Sequence, residues 1–318
     1  MYLPYVRGRQ YELLALRNSH PLLQQWPDIL PLVEPVNASP SACLRAATEL
    51  TTAGCRIAII TNPVANSRAG VVHDVLQHAT CPAALRSHAS VVPSLLVLTG
   101  TTVQHVQTFF TLYAGRELCI VHREVPIDPS VTTTLINLAQ GHLHAGHVAT
   151  HVITDQTPTQ LRLALPTTSL VLLRDGFQRQ PHNAAYPPAS FFGDLHRTYR
   201  AQGYAGWGDF LTVGDVFTTG GGMPLAVVIH LTALQASSSD AWIRHFISSS
   251  NATTANPAGK FLQAAARVAS YAATDAAFAG TAACRELLGY HATPHFPGLG
   301  KLKELSIRHH LQMMGAFA

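Results

Sequence analysis

Short apolar runs recur along the chain, and each stops at a polar residue. Ile29 to Val33 stops at Glu34, Ile57 to Ile60 at Thr61 and Asn62, and Leu118 to Val121 at His122. Val148 to Ile153 stops near Asp155, and Leu170 to Leu173 at Arg174 and Asp175. Val/Ile/Leu runs of this length suit strands buried on both faces, as in a parallel sheet. The polar group just past such a strand sits where α/β proteins build their sites.

Between the runs lie helix signals. Tyr2 to Val6 reads as a strand and Tyr11 to Arg17 as a helix. A strand over Ile29 to Val36 precedes a helix to Leu50 that Ser39 and Pro40 open. The strands Arg56 to Thr61, Val92 to Leu98, Glu117 to His122, His147 to Thr154 and Ser169 to Arg174 follow. Their helices are predicted over Val71 to Ala79, from Thr101 or Thr102 to Tyr113, from Asp128-Pro129 to Leu138, over Thr159 to Leu165 and over Ala189 to Ala201. Phe210 to Val213 is the candidate eighth strand. Seven β-then-α units and an eighth strand predict an α/β fold, a (β/α)8 TIM-barrel-like ring. The rival is an open doubly wound sheet. It calls for a glycine fingerprint after its first strand, and Arg7-Gly8-Arg9-Gln10 is not one.

After Gly214 the rhythm breaks. Leu225 to Leu231 and Trp242 to Ile247 predict a β-hairpin inserted near strand eight, followed by an alanine-rich helix from Ala258 to Ala273. Thr281 to Tyr290 and Leu299 to Met314 predict extra C-terminal helices. The expected division is a barrel over 1–280, including hairpin 225–247, with a helical extension over 281–318 packed on it.

Composition narrows the class. Hydrophobic residues make up 47% of the chain and charged residues 12%, so a sizeable core is expected. The net charge of +4, with no run of five Lys or Arg, does not indicate direct nucleic-acid binding. Five scattered cysteines without a CxxC pair read as reduced thiols of a cytoplasmic protein. The N-terminus shows no apolar signal region, and no run approaches the roughly 20 residues that span a bilayer, so no membrane association is expected.

The strand ends supply the candidate chemistry. Glu34, His122, Asp175 and Asp209 are candidate catalytic groups; Arg7, Arg9, Asn62, Arg174, Asp215, His230 and Arg244 are candidate ligand-binding groups. Carboxylate, imidazole, guanidinium and amide together suit acid–base or phosphoryl chemistry. The competing reading is of strand-end groups that pair with backbone and loops. Arg7 and Arg9 either clamp a carboxylate or phosphate or pair with Glu34 or Glu12. Thr218 to Gly222 is a glycine loop without the Lys-Ser/Thr of a P-loop. His142, His144, His147 and His151 lack an HExxH pattern and read as a solvated turn before a metal site, so neither metal nor cofactor is assigned. The alternation of Ile-His230-Leu and Ile-Arg244-His245 leaves the faces of His230 and Arg244 open.

Several segments carry a resemblance. They include Leu3-Pro4-Tyr5-Val6-Arg7-Gly8-Arg9-Gln10-Tyr11-Glu12-Leu13, Leu30 to Val36, Ile60 to Pro63, Arg174-Asp175-Gly176-Phe177 and Gly206-Trp207-Gly208-Asp209-Phe210-Leu211-Thr212-Val213-Gly214-Asp215. In order and content they resemble the phage T4-like "beta protein" family of phages, prophages and bacterial accessory regions. The resemblance implies a role in phage–host conflict and a small nuclease-like protein as partner; it carries over no catalytic residue. The leading expectation is a barrel that binds or processes a phosphate-bearing small molecule or nucleotide at its C-terminal mouth, with a hydrolase or phosphodiesterase-like activity. There Arg7 and Arg9 would hold the anion, Glu34 or Asp175 would act as base or metal ligand, and His122 would move a proton. The alternative is a non-catalytic partner or scaffold subunit that docks a nuclease-like protein through the hairpin and C-terminal helices. It expects Leu302, Leu305, Ile307, Leu311 and Met313 to be exposed. A structural component of a phage or mobile element is a third expectation.

Overall fold

The computed structural model describes residues 1–63, 74–217, 222 and 224–318. Its strands are β1 (Tyr2–Val6), β2 (Leu32–Val33), β3 (Ile57–Ile60), β4 (Val91–Val97), β5 (Leu118–His122), β6 (Ala149–Ile153), β7 (Leu170–Arg174), β8 (Ala189–Gly193), β9 (Gly206–Asp209), β10 (Val228–Leu234) and β11 (Ala241–Ile247). β1 to β7 and β9 close in that order into a barrel, every neighbouring pair parallel. With helices between its strands, this is the expected TIM-barrel-like ring.

The helices between the first seven strands are α1 (Gln10–Asn18), α2 (His20–Gln25), α3 (Ser41–Thr52), α4 (Ala83–Arg86), α5 (Val103–Leu112), α6 (Pro129–His144) and α7 (Thr159–Ala164). Local signals set several of their starts. Thr102 and His105 form a reciprocal capping box on α5. On α6 the Asp128 side chain accepts from Ser130 N at 2.9 Å, and Pro129 takes the first helical position, where its missing N–H costs nothing.

Three elements differ from the sequence reading. The eighth barrel strand is Gly206–Asp209, not Phe210 to Val213. Glycine lowers strand propensity, but here it is required. A Cβ on Gly208 would lie 2.4 Å from Leu3 O, and one on Gly206 would lie 2.8 Å from Met1 O. The helix expected over Ala189 to Ala201 is instead β8 and a one-turn helix, α8 (Leu195–Thr198). Ser190 and Phe192 are buried while Phe191 is exposed, an alternation of period two. Of the helix expected over Val71 to Ala79, Val71 to His73 lie outside the described residues, and Asp74 to Ala79 form turns. Thr218 to Gly221 of the glycine loop also lie outside them.

The chain divides into two compact units that interleave in sequence. The first comprises Met1–Arg9, Leu23–Arg174 and Thr198–Asp209 and holds the whole barrel. The second comprises Gln10–Leu22, Asp175–Arg197 and Phe210–Ala318. It contains the antiparallel sheet β10-β11-β8, with α9 (Pro257–Ala272), α10 (Ala276–Ala279), α11 (Ala282–Ala292) and α12 (Leu299–Gly315). Its core gathers Ile229, Leu231, Phe246, Phe261, Val268, Phe278, Leu287, Leu302 and Leu305. α1 packs on α12, where Lys303 Nζ meets the buried Glu12 at 2.6 Å and Asn18 Nδ2 donates to the buried Glu304 at 2.6 Å. The apolar α12 residues expected at the surface, Leu302, Leu305, Ile307, Leu311 and Met313, are all buried. Leu302 and Leu305 belong to the core of this unit, in which α12 packs on α1, α11 and β10.

All five cysteines are buried and unbridged. No helix among the described residues is long and apolar enough to cross a membrane.

Ring closure through Gly208 makes a direct prediction. Gly208→Ala forces its new methyl against the Leu3 carbonyl and should cost about 1–3 kcal/mol, the range of an overpacked core. Urea unfolding measures it, and a loss below about 0.5 kcal/mol would show that the contact is not tight.

Candidate anion-binding site at the barrel mouth

Paired residues on parallel strands point to the same side, so the register carries one phase around the ring. Starting from Tyr5↔Leu32, it passes through Leu32↔Ala58, Ala58↔Val92, Ser94↔Cys119, Val121↔Val152, Val152↔Val171 and Val171↔Gly206. It closes on Leu3↔Gly208, in phase with its start. One set thus includes Leu3, Tyr5, Leu32, Ile60, Val121 and Leu173. The opposite set includes Tyr2, His122, His151, Arg174, Trp207 and Asp209.

Two contacts decide which set faces the lumen. β1 and β5 stand four strands apart in either direction around the ring. Yet Arg123, the residue after β5, brings its guanidinium carbon within 5.9 Å of the Tyr5 ring centroid, which only a path through the lumen permits. His151, in the opposite set, lines a cavity of about 160 Å³ bounded by α6 and the segment after α7, outside the ring.

At the C-terminal end of the lumen these phases assemble a charged cluster. The Tyr5 hydroxyl donates to Glu34 Oε2 at 2.8 Å, and Arg7 Nε donates to the same oxygen at 3.1 Å. Arg7 also lies over the Tyr5 ring at 5.8 Å, so two guanidinium groups flank one phenol. Glu34 is buried, with its side chain 5% exposed against 13% for Arg7. Gly8 lets the chain after β1 run close to β2, since a Cβ there would sit 3.1 Å from Glu34 O. Burial first, then the charge of Glu34, pushes the Tyr5 hydroxyl well above the usual tyrosine range; Arg123 and Arg7 pull it down. Tyr5 is therefore a neutral donor at ordinary pH.

The other candidates lie elsewhere. Asn62 pairs its amide with the β4 backbone: Nδ2 donates to Leu96 O and Oδ1 accepts from Leu96 N, both at 2.8 Å. It extends the β3 ladder by one side chain. His122 lies in the outer set, buried, with Nε2 3.1 Å from His151 Nδ1. The expected proton transfer at the mouth does not fit that position, because a one-residue step along a strand reverses the side. Arg123, the next residue, faces the lumen instead. Arg174 is also outward and makes a bidentate pair with Asp155 at 2.7 and 2.8 Å. The Arg174 hydrogen bond is the main cause that lowers the Asp155 carboxyl. Asp209 is buried in the outer set, accepting from the Tyr2 hydroxyl at 3.0 and 3.1 Å, while Trp207 stacks on Tyr2 at 4.0 Å. Arg9 follows Gly8 and is half-buried.

In the second unit, Asp175 knits a loop: Oδ1 accepts from Phe177 N at 2.9 Å and Oδ2 from Asp215 N at 2.8 Å. Asp215 enters that loop through its backbone. The faces of the hairpin are now assigned. His230 pairs with His245 in register and Leu231 with Arg244, so His230 and Arg244 stand on opposite faces of the sheet. His230 and His245 approach at 2.7 Å through their Nδ1 atoms, and His245 Nε2 lies 2.9 Å from Ser190 Oγ. Of the sequence cluster of histidines, His142 bonds through Nε2 to Arg116 O at 2.7 Å and is a helix-end partner. Among the described residues no group of three or more His, Cys, Asp or Glu is arranged to hold a metal ion.

Tyr5 and Arg123 do not stand out in the sequence, because the residue that ends an apolar run does not reveal the run's phase. The phase within the run was the usable signal: Val121 and Arg123 share a side, and Ile120 and His122 share the other.

Burial lowers the imidazoles of His122, His151, His230, His245 and His309, His151 and His309 to about 4. The unfolded chain binds protons on these groups near pH 6.5, whereas in the folded chain His151, His245 and His309 do so only at about pH 4, His230 at about 3, and His122 well below its ordinary range. Between those values the unfolded state holds more protons, so stability is full above pH 6.5 and falls as the pH drops toward 4. The slope is about 1.4 kcal/mol per pH unit for each such histidine. Urea midpoints between pH 7.5 and 4.5 should decline accordingly; a flat profile, or imidazole NMR signals of His122 and His151 that titrate near 6.5, would overturn this.

No family model matches the chain, and no curated protein matches it; the likeness to the phage T4-like beta protein family therefore stands on the segments that suggest it.

Proposed function

We propose that the barrel mouth binds a small molecule through a phosphate group, a nucleotide being one such molecule. The convergence of Arg7 and Arg123 over Tyr5 beside the carboxylate of Glu34 carries this reading. Guanidinium forks match phosphate oxygens bidentately. The neutral Tyr5 hydroxyl is a further donor that an anion can share with Glu34. The C-terminal mouth is where barrels of this architecture hold their ligands.

If the site hydrolyses a phosphate ester, Glu34 is the group in place to take a proton from an attacking water. His122 is not, since its ring lies in the outer layer with His151. The docking reading through the C-terminal helices loses its main support, because the apolar residues of α12 are buried.

The test is binding of inorganic phosphate and of a nucleoside monophosphate by calorimetry. Arg123→Ala should weaken both about tenfold or more, the loss of one charge-assisted contact of about 1.5–3 kcal/mol, with the fold retained by circular dichroism. Arg174→Ala, which removes an exposed pair outside the lumen, should leave binding unchanged. Equal effects of the two substitutions, or no binding by the wild-type protein, would overturn the reading.

A further inference from the structure

The second unit holds a separate pocket whose chemistry differs from that of the mouth. Arg244 sits on β11 between Ala189 of β8 and Leu231 of β10, and one register step along, Trp242 sits between Phe191 and Ala233. The short side chains of Ala189 and Ala233 beside them leave a cavity of about 290 Å³, walled also by Gln235, Trp242, Arg244 and Tyr271. Tyr271, from α9, lies under the Arg244 guanidinium at 4.6 Å, and Trp242 packs edge-on to Phe191 at 5.6 Å.

Two polar groups of this pocket, on Arg244 and Trp242, are donors in need of acceptors. Arg244 has no carboxylate partner among the described residues, although other arginines of the same unit do: Arg197 pairs with Asp240, and Arg308 with Glu286 and Glu304. Arg244 Nε and Trp242 Nε1 are both buried and without a hydrogen-bond partner in the protein. A buried unsatisfied donor costs about 1–3 kcal/mol, and two in one pocket mark a site that an acceptor would complete. Arginine and the indole offer donors only.

The geometry points to a binding site for an aromatic carboxylate. A single guanidinium matches the single charge of a carboxylate and its planar two-oxygen edge. Tyr271 and Trp242 supply faces and edges for a ring, and the cavity is large enough for one ring with a short substituent. A phosphate dianion would find only one cation here. The site lies on the sheet face opposite His230 and His245, so it is distinct from that buried imidazole pair.

Benzoate and indole-3-acetate, titrated into the full chain by calorimetry, are the probes, with benzamide and inorganic phosphate as controls. Saturable binding of the two carboxylates is expected, with benzamide and phosphate each at least tenfold weaker. Arg244→Gln should weaken benzoate about tenfold or more. Arg244→Lys, which keeps the charge and the aliphatic stem but loses the fork, should also weaken it and guards against a folding defect in the first variant. Absence of saturable binding, benzamide or phosphate binding as tightly as benzoate, or undiminished binding by folded Arg244→Gln or Arg244→Lys would each overturn the assignment.

Discussion

Closure of the ring in a single register is the constraint on which the rest of the barrel depends. The Leu3↔Gly208 pairing returns the alternation to its starting phase after eight strands. Each strand residue is thereby committed to the lumen or to the outer layer. The commitment costs side-chain freedom at one place. Gly206 and Gly208 lie against the backbone of β1, where even a methyl group would collide. A slip of one residue in a strand would exchange that strand's two sides; in β5 it would put His122 into the lumen.

This alternation sorts the ionisable groups by environment. Arg7, Glu34 and Arg123 fall on the lumen side at its mouth, where opposite charges compensate and solvent is near. His122 and His151 fall on the outer side beneath helices, where carrying a charge is too costly and both remain neutral. The three-stranded sheet of the second unit repeats the division. One face holds the neutral His230–His245–Ser190 chain, and the other presents Arg244 to an open pocket.

Much of the ring was legible in the chain. Continuous Val/Ile/Leu runs marked most of the parallel strands, because strands buried on both faces need no polar alternation. That same uniformity hid the phase: an all-apolar run does not say which residue faces inward, and so His122 was preferred to Arg123. The eighth strand was hidden for the opposite reason. Gly-Trp-Gly-Asp has poor intrinsic strand preference, and only the approach of β1 makes glycine the fitting residue. Asn62 resembled a ligand donor because its amide is chemically the same as a peptide group; in place it completes the ladder to Leu96.

By itself, then, the sequence determined the parallel αβ rhythm, the hairpin and the set of polar residues near strand ends, because propensity, capping and apolar run length are local properties. The tertiary structure alone decided which of those polar residues meet. Tyr5 and Arg123 approach across the lumen from opposite strands, and α1 joins α12 nearly 300 residues away in the chain. These contacts follow from ring closure and from packing between distant segments, and neither leaves a periodic mark on the residues it joins.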